Sequence, residues 1–303
     1  LPGAFTTDTW GHQYDQQANQ VLCSIAKRQL TNNADDANVF GLEPNFGCCT
    51  ANQHQGWPKF AANMWMATPD GGLAAIAHGP CEVRATCGGQ PVAVTVETEY
   101  PFGETIRMAV SVGQPTAFPI KPRIPAWCDE PRLSVNGETV DADAGILAEI
   151  RREWHDGDTI ELDLPMPLRT ERRYNGSVSV TRGPLVYSLR IGERWERIRG
   201  DDPCPDYAVH PTTPWNYALA MDPDRPDLRA EEKGVREHIF GPDCAPVELK
   251  AKARRVPDWE IQDNQAGPLP QSPVTSDEPV EDVTLIPYGC AKLRITEFPL
   301  VEE

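Results

Sequence analysis

The sequence predicts a mainly β protein with a helical N-terminal part, and three observations lead there. Thirty prolines stand in 303 residues, about twice the usual frequency. Helix interiors tolerate proline poorly, because it lacks an N–H donor and its ring clashes with the preceding turn. At the turn Pro69-Asp-Gly-Gly72 the apolar period changes from 3.6 residues to 2. Beyond it, tight-turn dipeptides such as Asn136-Gly137 and Asp156-Gly157 recur between short alternating runs. Many short strands divided by turns specify β-sandwiches. The expected division is a helical part over residues 1–68, a β-sandwich over 69–168, and a second β-sandwich over 169–303 with a long irregular insertion.

Taken in order, Asp8 is placed to cap a helix whose apolar stripe is Tyr14, Ala18, Val21, Leu22 and Ile25. The Asn32-Asn33 and Asp35-Asp36 cluster reads as a loop. A second helix is expected over Gln55 to Met66, with Trp57, Phe60, Met64 and Trp65 on its apolar side. Leu73 to His78 reads as a strand that holds His78 structurally. Val92, Val94 and Val96 alternate with polar residues, as do Ile106, Met108 and Val110 after the turn at Pro101-Phe-Gly103. That pattern is a hairpin with one buried face. Further strands are expected at Ala117–Ile124, Arg132–Val135, Leu147–Arg151 and Thr159–Leu164. In the last third, Ser177–Val180 and Leu185–Ile191 flank the turn Arg182-Gly-Pro184. Residues 197–245 show little periodicity, residues 261–280 read as an exposed loop, and strand character returns at Val247–Ala253, Val283–Pro287 and Lys292–Phe298.

Composition narrows the function. Lys and Arg number 28 against 45 Asp and Glu, a net charge of −17. Such a surface repels nucleic acid and anionic membranes and suits a neutral small molecule or sugar. The sequence has no run of eighteen or more apolar residues and no signal-peptide pattern at Leu1, so neither a membrane nor export is expected and a cytoplasmic location is the default. Nine cysteines, an odd number without regular spacing, argue against a disulfide framework.

The densest chemistry lies in Phe40-Gly-Leu-Glu-Pro-Asn-Phe-Gly-Cys-Cys-Thr-Ala-Asn-Gln-His-Gln55. Cys48 and Cys49 follow a glycine and precede an amphipathic run. A helix N-terminus favours negative charge, so thiols placed there ionise more readily than free cysteine. A thiolate is both a soft metal ligand, with zinc its commonest partner, and a strong nucleophile. The same pair is equally compatible with two small buried side chains.

Cys48-Cys49-x-x-Asn52, followed by Arg123-Ile-Pro-Ala-Trp127, Val135-Asn-Gly137, Trp154-His-Asp-Gly157, Arg182-Gly-Pro-Leu-Val-Tyr187 and Leu285-Ile-Pro-Tyr288, resembles the β-L-arabinofuranosidase family of glycoside hydrolases, family 127. The resemblance implies that residues 1–68 are the end of an (α/α) barrel catalytic domain. It implies that Cys48 is the nucleophile, that Cys48 and Cys49 bind zinc, and that an arabinofuranoside or related sugar is the substrate. In such a barrel His12, Gln16 and Cys23 face the sugar, and Glu43, Asn52 and His54 flank the pair as further candidates for binding it. The family's acid/base glutamate and its Glu-x-Cys zinc ligands have no counterpart here, since Glu43 is the single glutamate in the first 47 residues. Truncation within the barrel, leaving an inactive piece, is the expected reason. The implied partner is then the missing barrel portion or a second copy of the chain. Glu43, or Cys23 with His54, are the candidates for completing the metal shell otherwise. Thr50, Ala51 and Gln55 stand where the family has prolines and an arginine, which marks a divergent branch. The rival expectation is a non-catalytic carbohydrate-binding or structural β-sandwich module, raised by Trp127, Trp154, Tyr187, Trp195, Trp215 and Tyr288.

Overall fold

The structure is a computed structural model, and it describes residues 4–8, 10–28, 33–42 and 47–302, without the side chains of residues 47–51 and 53. Two compact units divide the chain: Gln53–Pro167, and Leu1–Asn52 together with Leu168–Glu303. The fold is mainly β, as the proline content and alternation require.

The unit Gln53–Pro167 contains ten strands in two sheets. They are β1 (Trp65–Ala67), β2 (Leu73–Ala75), β3 (Cys81–Cys87), β4 (Gln90–Thr98), β5 (Thr105–Val112), β6 (Thr116–Pro122), β7 (Arg132–Val135), β8 (Glu138–Val140), β9 (Ile150–Trp154) and β10 (Thr159–Asp163). One sheet runs β1-β2-β6-β9 and the other β3-β4-β5-β10-β7-β8. Strict alternation sets which side chains face inward. Val92, Val94 and Val96 meet Ile106, Met108 and Val110 on one side, and Phe118, Ile120, Ile150 and Trp154 come from the other sheet into the same core. Trp154 is fully buried and its indole Nε1 donates to the carbonyl of Phe118 at 2.9 Å. Asn136 and Gly137 both have positive φ (51° and 83°), the geometry of a type I′ turn, and they join β7 to β8 with Val135 opposite Glu138. His78 donates from Nε2 to the Arg123 carbonyl (2.8 Å), a structural role.

In the other unit the strands are β11 (Leu168–Arg172), β12 (Val178–Arg182), β13 (Leu185–Leu189), β14 (Glu193–Arg199), β15 (Asp206–Pro211), β16 (Tyr217–Leu219), β17 (Arg229–Glu232), β18 (Val247–Arg255), β19 (Ile261–Gln262), β20 (Gln265–Ala266) and β21 (Val280–Pro287). Seven of them form one sheet, β11-β12-β13-β21-β18-β16 with β17 also paired to β18. The segment expected to be irregular, 197–245, thus adds two strands to this sheet and completes the β14–β15 ribbon. Trp195 of that ribbon packs on Phe40 (5.1 Å between centroids) and Tyr207 (5.8 Å). The strands within 197–245 are short and their burial does not alternate, so the sequence period gives no sign of them.

The first expected helix does not form. Residues 10–28 are extended or bent, and their backbone hydrogen bonds go to distant partners. Gln20 N donates to Arg294 O (2.9 Å) and Arg294 N returns the bond (2.7 Å); Cys23 and Val209 exchange bonds of 3.0 and 2.8 Å. Phe40 and Tyr207 pair in the same way. Asp8 accepts from the Thr6 hydroxyl (2.6 Å) rather than capping a helix. Val21 and Cys23 are buried while Ile25 is 50% exposed, a separation that a single helical stripe would not give. Among the described residues the one α-helix is α1 (Gly47–Ala62), with Pro58 inside it. It stops four residues short of the expected Met66. Met64 is buried beyond its end, but Trp57 and Phe60 are 46% and 52% exposed rather than core. No described helix is long and apolar enough to cross a membrane.

Candidate functional site

Cys48 and Cys49 lie in the first turn of α1. The unpaired N–H groups of a helix start and its macrodipole lower the cost of a thiolate at that position. Glu43 falls outside the described residues. Asn52 stands one helical turn after Cys48, His54 half a turn further, and both are exposed.

His12 and Gln16 belong to the extended segment of the unit that also holds Cys48. His12 is half-buried, pairs with Gly41 and donates from Nδ1 to the Gly41 carbonyl at 3.2 Å. Gln16 lines a cavity of about 320 Å³, with its Oε1 3.5 Å from the Tyr288 hydroxyl. Cys23 is buried and its sulfur receives a hydrogen bond from Gln13 Nε2 (3.4 Å). Burial pushes this thiol up to about 12, so with no metal beside it the sulfur stays protonated. His12 and Cys23 are thereby committed to local structure, whereas Gln16 faces open space. Of the six aromatic residues weighed as sugar platforms, Trp154, Tyr187 and Trp215 are buried and Trp127, Trp195 and Tyr288 half-buried.

A polar cluster inside this unit has no simple mark in the sequence. Gln20 Nε2 donates to Gln13 Oε1 (3.1 Å) and to the Lys292 carbonyl (2.8 Å). Asn38 Nδ2 donates to Gln20 Oε1 (3.0 Å), and Gln13 Nε2 donates to the Asn38 carbonyl (2.7 Å). Arg294, fully buried, donates to the carbonyls of Gln17 and Ala291 (both 3.1 Å) and lies over the Tyr288 ring. Lys292 is also fully buried. Burial lowers its pKa to about 8 against the attraction of Glu193. The clue in the sequence is Lys292-Leu-Arg-Ile-Thr296, an alternation whose polar residues face inward with the rest.

Residues 73–166 match the family model for the middle domain of the GH127 β-L-arabinofuranosidases. The resemblance is to glycoside hydrolase family 127. Solved structures show the same fold over nearly the whole chain. A glycoside hydrolase superposes with a TM-score of 0.69 at 22% identity, over 99% of this chain and 46% of its own. A GH127 β-L-arabinofuranosidase from Geobacillus stearothermophilus T6 gives 0.62 at 21%, over 98% and 43%. A third, described as a GH127 β-arabinofuranosidase, gives 0.68 at 17%, over 99% and 44%. The chain therefore spans less than half the length of these solved structures. No curated protein sequence matches it.

The resemblance carries the expectation of zinc at Cys48 and Cys49, and two cysteines suit that metal in kind because thiolates are soft ligands. They are two of the four ligands a closed site needs. Among the described residues no three His, Cys, Asp or Glu side chains gather to hold a metal ion.

Proposed function

We propose that this chain supplies the nucleophile and the β domains of a retaining glycoside hydrolase acting on β-L-arabinofuranosides or closely related sugars. The observation that supports this most is positional. The vicinal pair Cys48-Cys49 occupies the first turn of α1, directly ahead in the chain of the sandwich whose residues 73–166 match the GH127 middle domain.

In this reading the Cys48 thiolate attacks the anomeric carbon. A C–S bond forms as the glycosidic C–O bond breaks, and the departing oxygen takes a proton from a carboxylic acid on the opposite face. Water then displaces the sulfur, restoring the thiolate and giving a sugar with the original anomeric configuration. Bound zinc would keep the thiol ionised at neutral pH, with Cys49 as a further ligand. Asn52 and Gln16 are the candidates for orienting the sugar. Glu43 precedes the pair in the sequence and is the local alternative for the carboxyl group.

Activity on an aryl β-L-arabinofuranoside, measured with the complete protein as the cell makes it, tests the reading. Cys48→Ser should abolish turnover while zinc content changes less. Cys49→Ser should lose most of the zinc and recover part of its activity in excess metal. Wild-type turnover in Cys48→Ser would refute the nucleophile role.

A further inference from the structure

We propose that the groove between residues 211–216 and 255–261 binds a small monocarboxylate with an apolar body, its carboxylate held by Arg255. Binding there is independent of the sugar chemistry above. The groove has a volume of about 540 Å³, within the usual range for small-molecule sites.

Arg255 ends β18 and stands opposite Tyr217 of β16. Alternation along the strand puts it on the face of Ala251 and Ala253, which are 4% and 0% exposed. A half-buried guanidinium therefore sits at the margin of an apolar interior. Its Nε is enclosed and meets no acceptor, which leaves the two terminal nitrogens as the donors for a ligand. Among the described residues no hydrogen bond or ion pair engages those nitrogens. The Tyr217 hydroxyl donates to Glu281 (2.8 Å). The buried Arg28 and Arg294, by contrast, give their donors to backbone carbonyls. A partly desolvated guanidinium without an acceptor gains most from an anion, and a carboxylate matches its paired N–H groups.

The rest of the groove selects among anions. Trp215 and Trp259 meet edge to face, with centroids 5.2 Å and planes 73° apart. Trp259 Nε1 donates to the Gly267 carbonyl (3.0 Å), which fixes that ring. With Pro211, Pro214 and Pro257 the two indoles make an apolar lining, suited to a hydrocarbon body. Glu260 also lines the groove and is exposed. Its negative charge opposes a second one on the ligand, so a single carboxylate is favoured over phosphate.

Isothermal calorimetry of the full chain with phenylacetate, its uncharged analogue phenylacetamide, and inorganic phosphate tests this. Phenylacetate should bind at least about tenfold more tightly than the amide, the worth of a charge-assisted hydrogen bond. Phosphate should not bind. Arg255→Gln should bring phenylacetate down to the level of the amide. Glu260→Gln, on the exposed rim, should tighten phenylacetate by about twofold to threefold. Thermal midpoints are checked in parallel, and if Arg255→Gln fails to fold, Glu260→Gln decides. Absence of phenylacetate binding, equal affinity for acid and amide, phosphate binding, or unchanged phenylacetate affinity in folded Arg255→Gln or in Glu260→Gln overturns the proposal.

Discussion

The two units bury different things. In Gln53–Pro167 the interior is almost wholly apolar, with Val94, Ile106, Val110, Ile120, Trp154 and Ile160 all at 0% exposure. In the other unit, Gln20, Ser188, Lys292 and Arg294 are buried to 1% or less beside the apolar residues. The first unit is held by area removed from water, which is indifferent to pH and sensitive to volume. In the second, the N-terminal segment is tied by side-chain hydrogen bonds to backbone carbonyls, which respond to charge and to the loss of any partner.

Substitutions that strike each interior by its own mechanism sharpen the contrast. The largest effect is expected at Trp154→Ala, which removes a fully buried indole and its hydrogen bond to Phe118. Denaturant unfolding should show a loss of about 3–5 kcal/mol. Arg294→Met keeps most of the volume but strips donors from the carbonyls of Gln17 and Ala291. A loss of about 1–3 kcal/mol is expected. A value near zero would mean that the polar interior contributes no more than an apolar one would.

The two interiors also differ in pH response. Lys292 is lowered to about 8 by burial, against an ordinary value of 10.5. Below the folded pKa both states carry the proton and the cost of burying the charge is fully present. Between about 8 and 10.5 the unfolded chain binds the proton more strongly, so this lysine's contribution to stability improves as pH rises. The buried thiols Cys23 and Cys290, pushed up to about 12, act in the opposite sense above pH ~9. The difference in unfolding free energy between the wild type and Lys292→Met reports chiefly the lysine, because Cys23 cancels and Cys290, which Lys292 pulls down, enters only above pH ~9. The wild type should gain on the variant from pH 7 to pH 10, by at most on the order of 3 kcal/mol. A pH-independent difference would contradict the buried charge. The smallest effect is expected at Phe60→Ser on the exposed side of α1, within about 0.5 kcal/mol.

The same contrast explains what could be read ahead of the structure. Val92-x-Val94-x-Val96, Asn136-Gly137 and Arg182-Gly-Pro184 encode strands and turns through neighbours a few residues apart. The sandwich strands, the hairpins and the mainly β class therefore follow from local pattern. Residues 10–28 do not work that way. Tyr14, Ala18, Val21, Leu22 and Ile25 mimic a helical stripe, but the segment's hydrogen bonds are supplied by Val209 and Arg294, far along the chain. Local period carries no record of such partners. The strands Asp206–Pro211 and Arg229–Glu232 escaped for another reason: their burial does not alternate. Of the candidate site, the pair Cys48-Cys49 stood out by chemistry and motif, whereas Gln16 was picked from the polar face of a helix that does not form. Asn38 and Arg294 did not stand out, because ordinary polar residues acquire meaning only once burial is known.

Chemical trapping tests the central claim most directly. The complete protein is incubated with an electrophilic mimic of β-L-arabinofuranose, digested and mapped by peptide mass. The account predicts one sugar adduct, on the sulfur of Cys48, absent from Cys48→Ser and present in Cys49→Ser when excess zinc is supplied. An adduct on Glu43 in place of Cys48 would assign the nucleophile to a carboxylate, and no adduct on a protein that still binds L-arabinose would leave a binding module; either result contradicts the account.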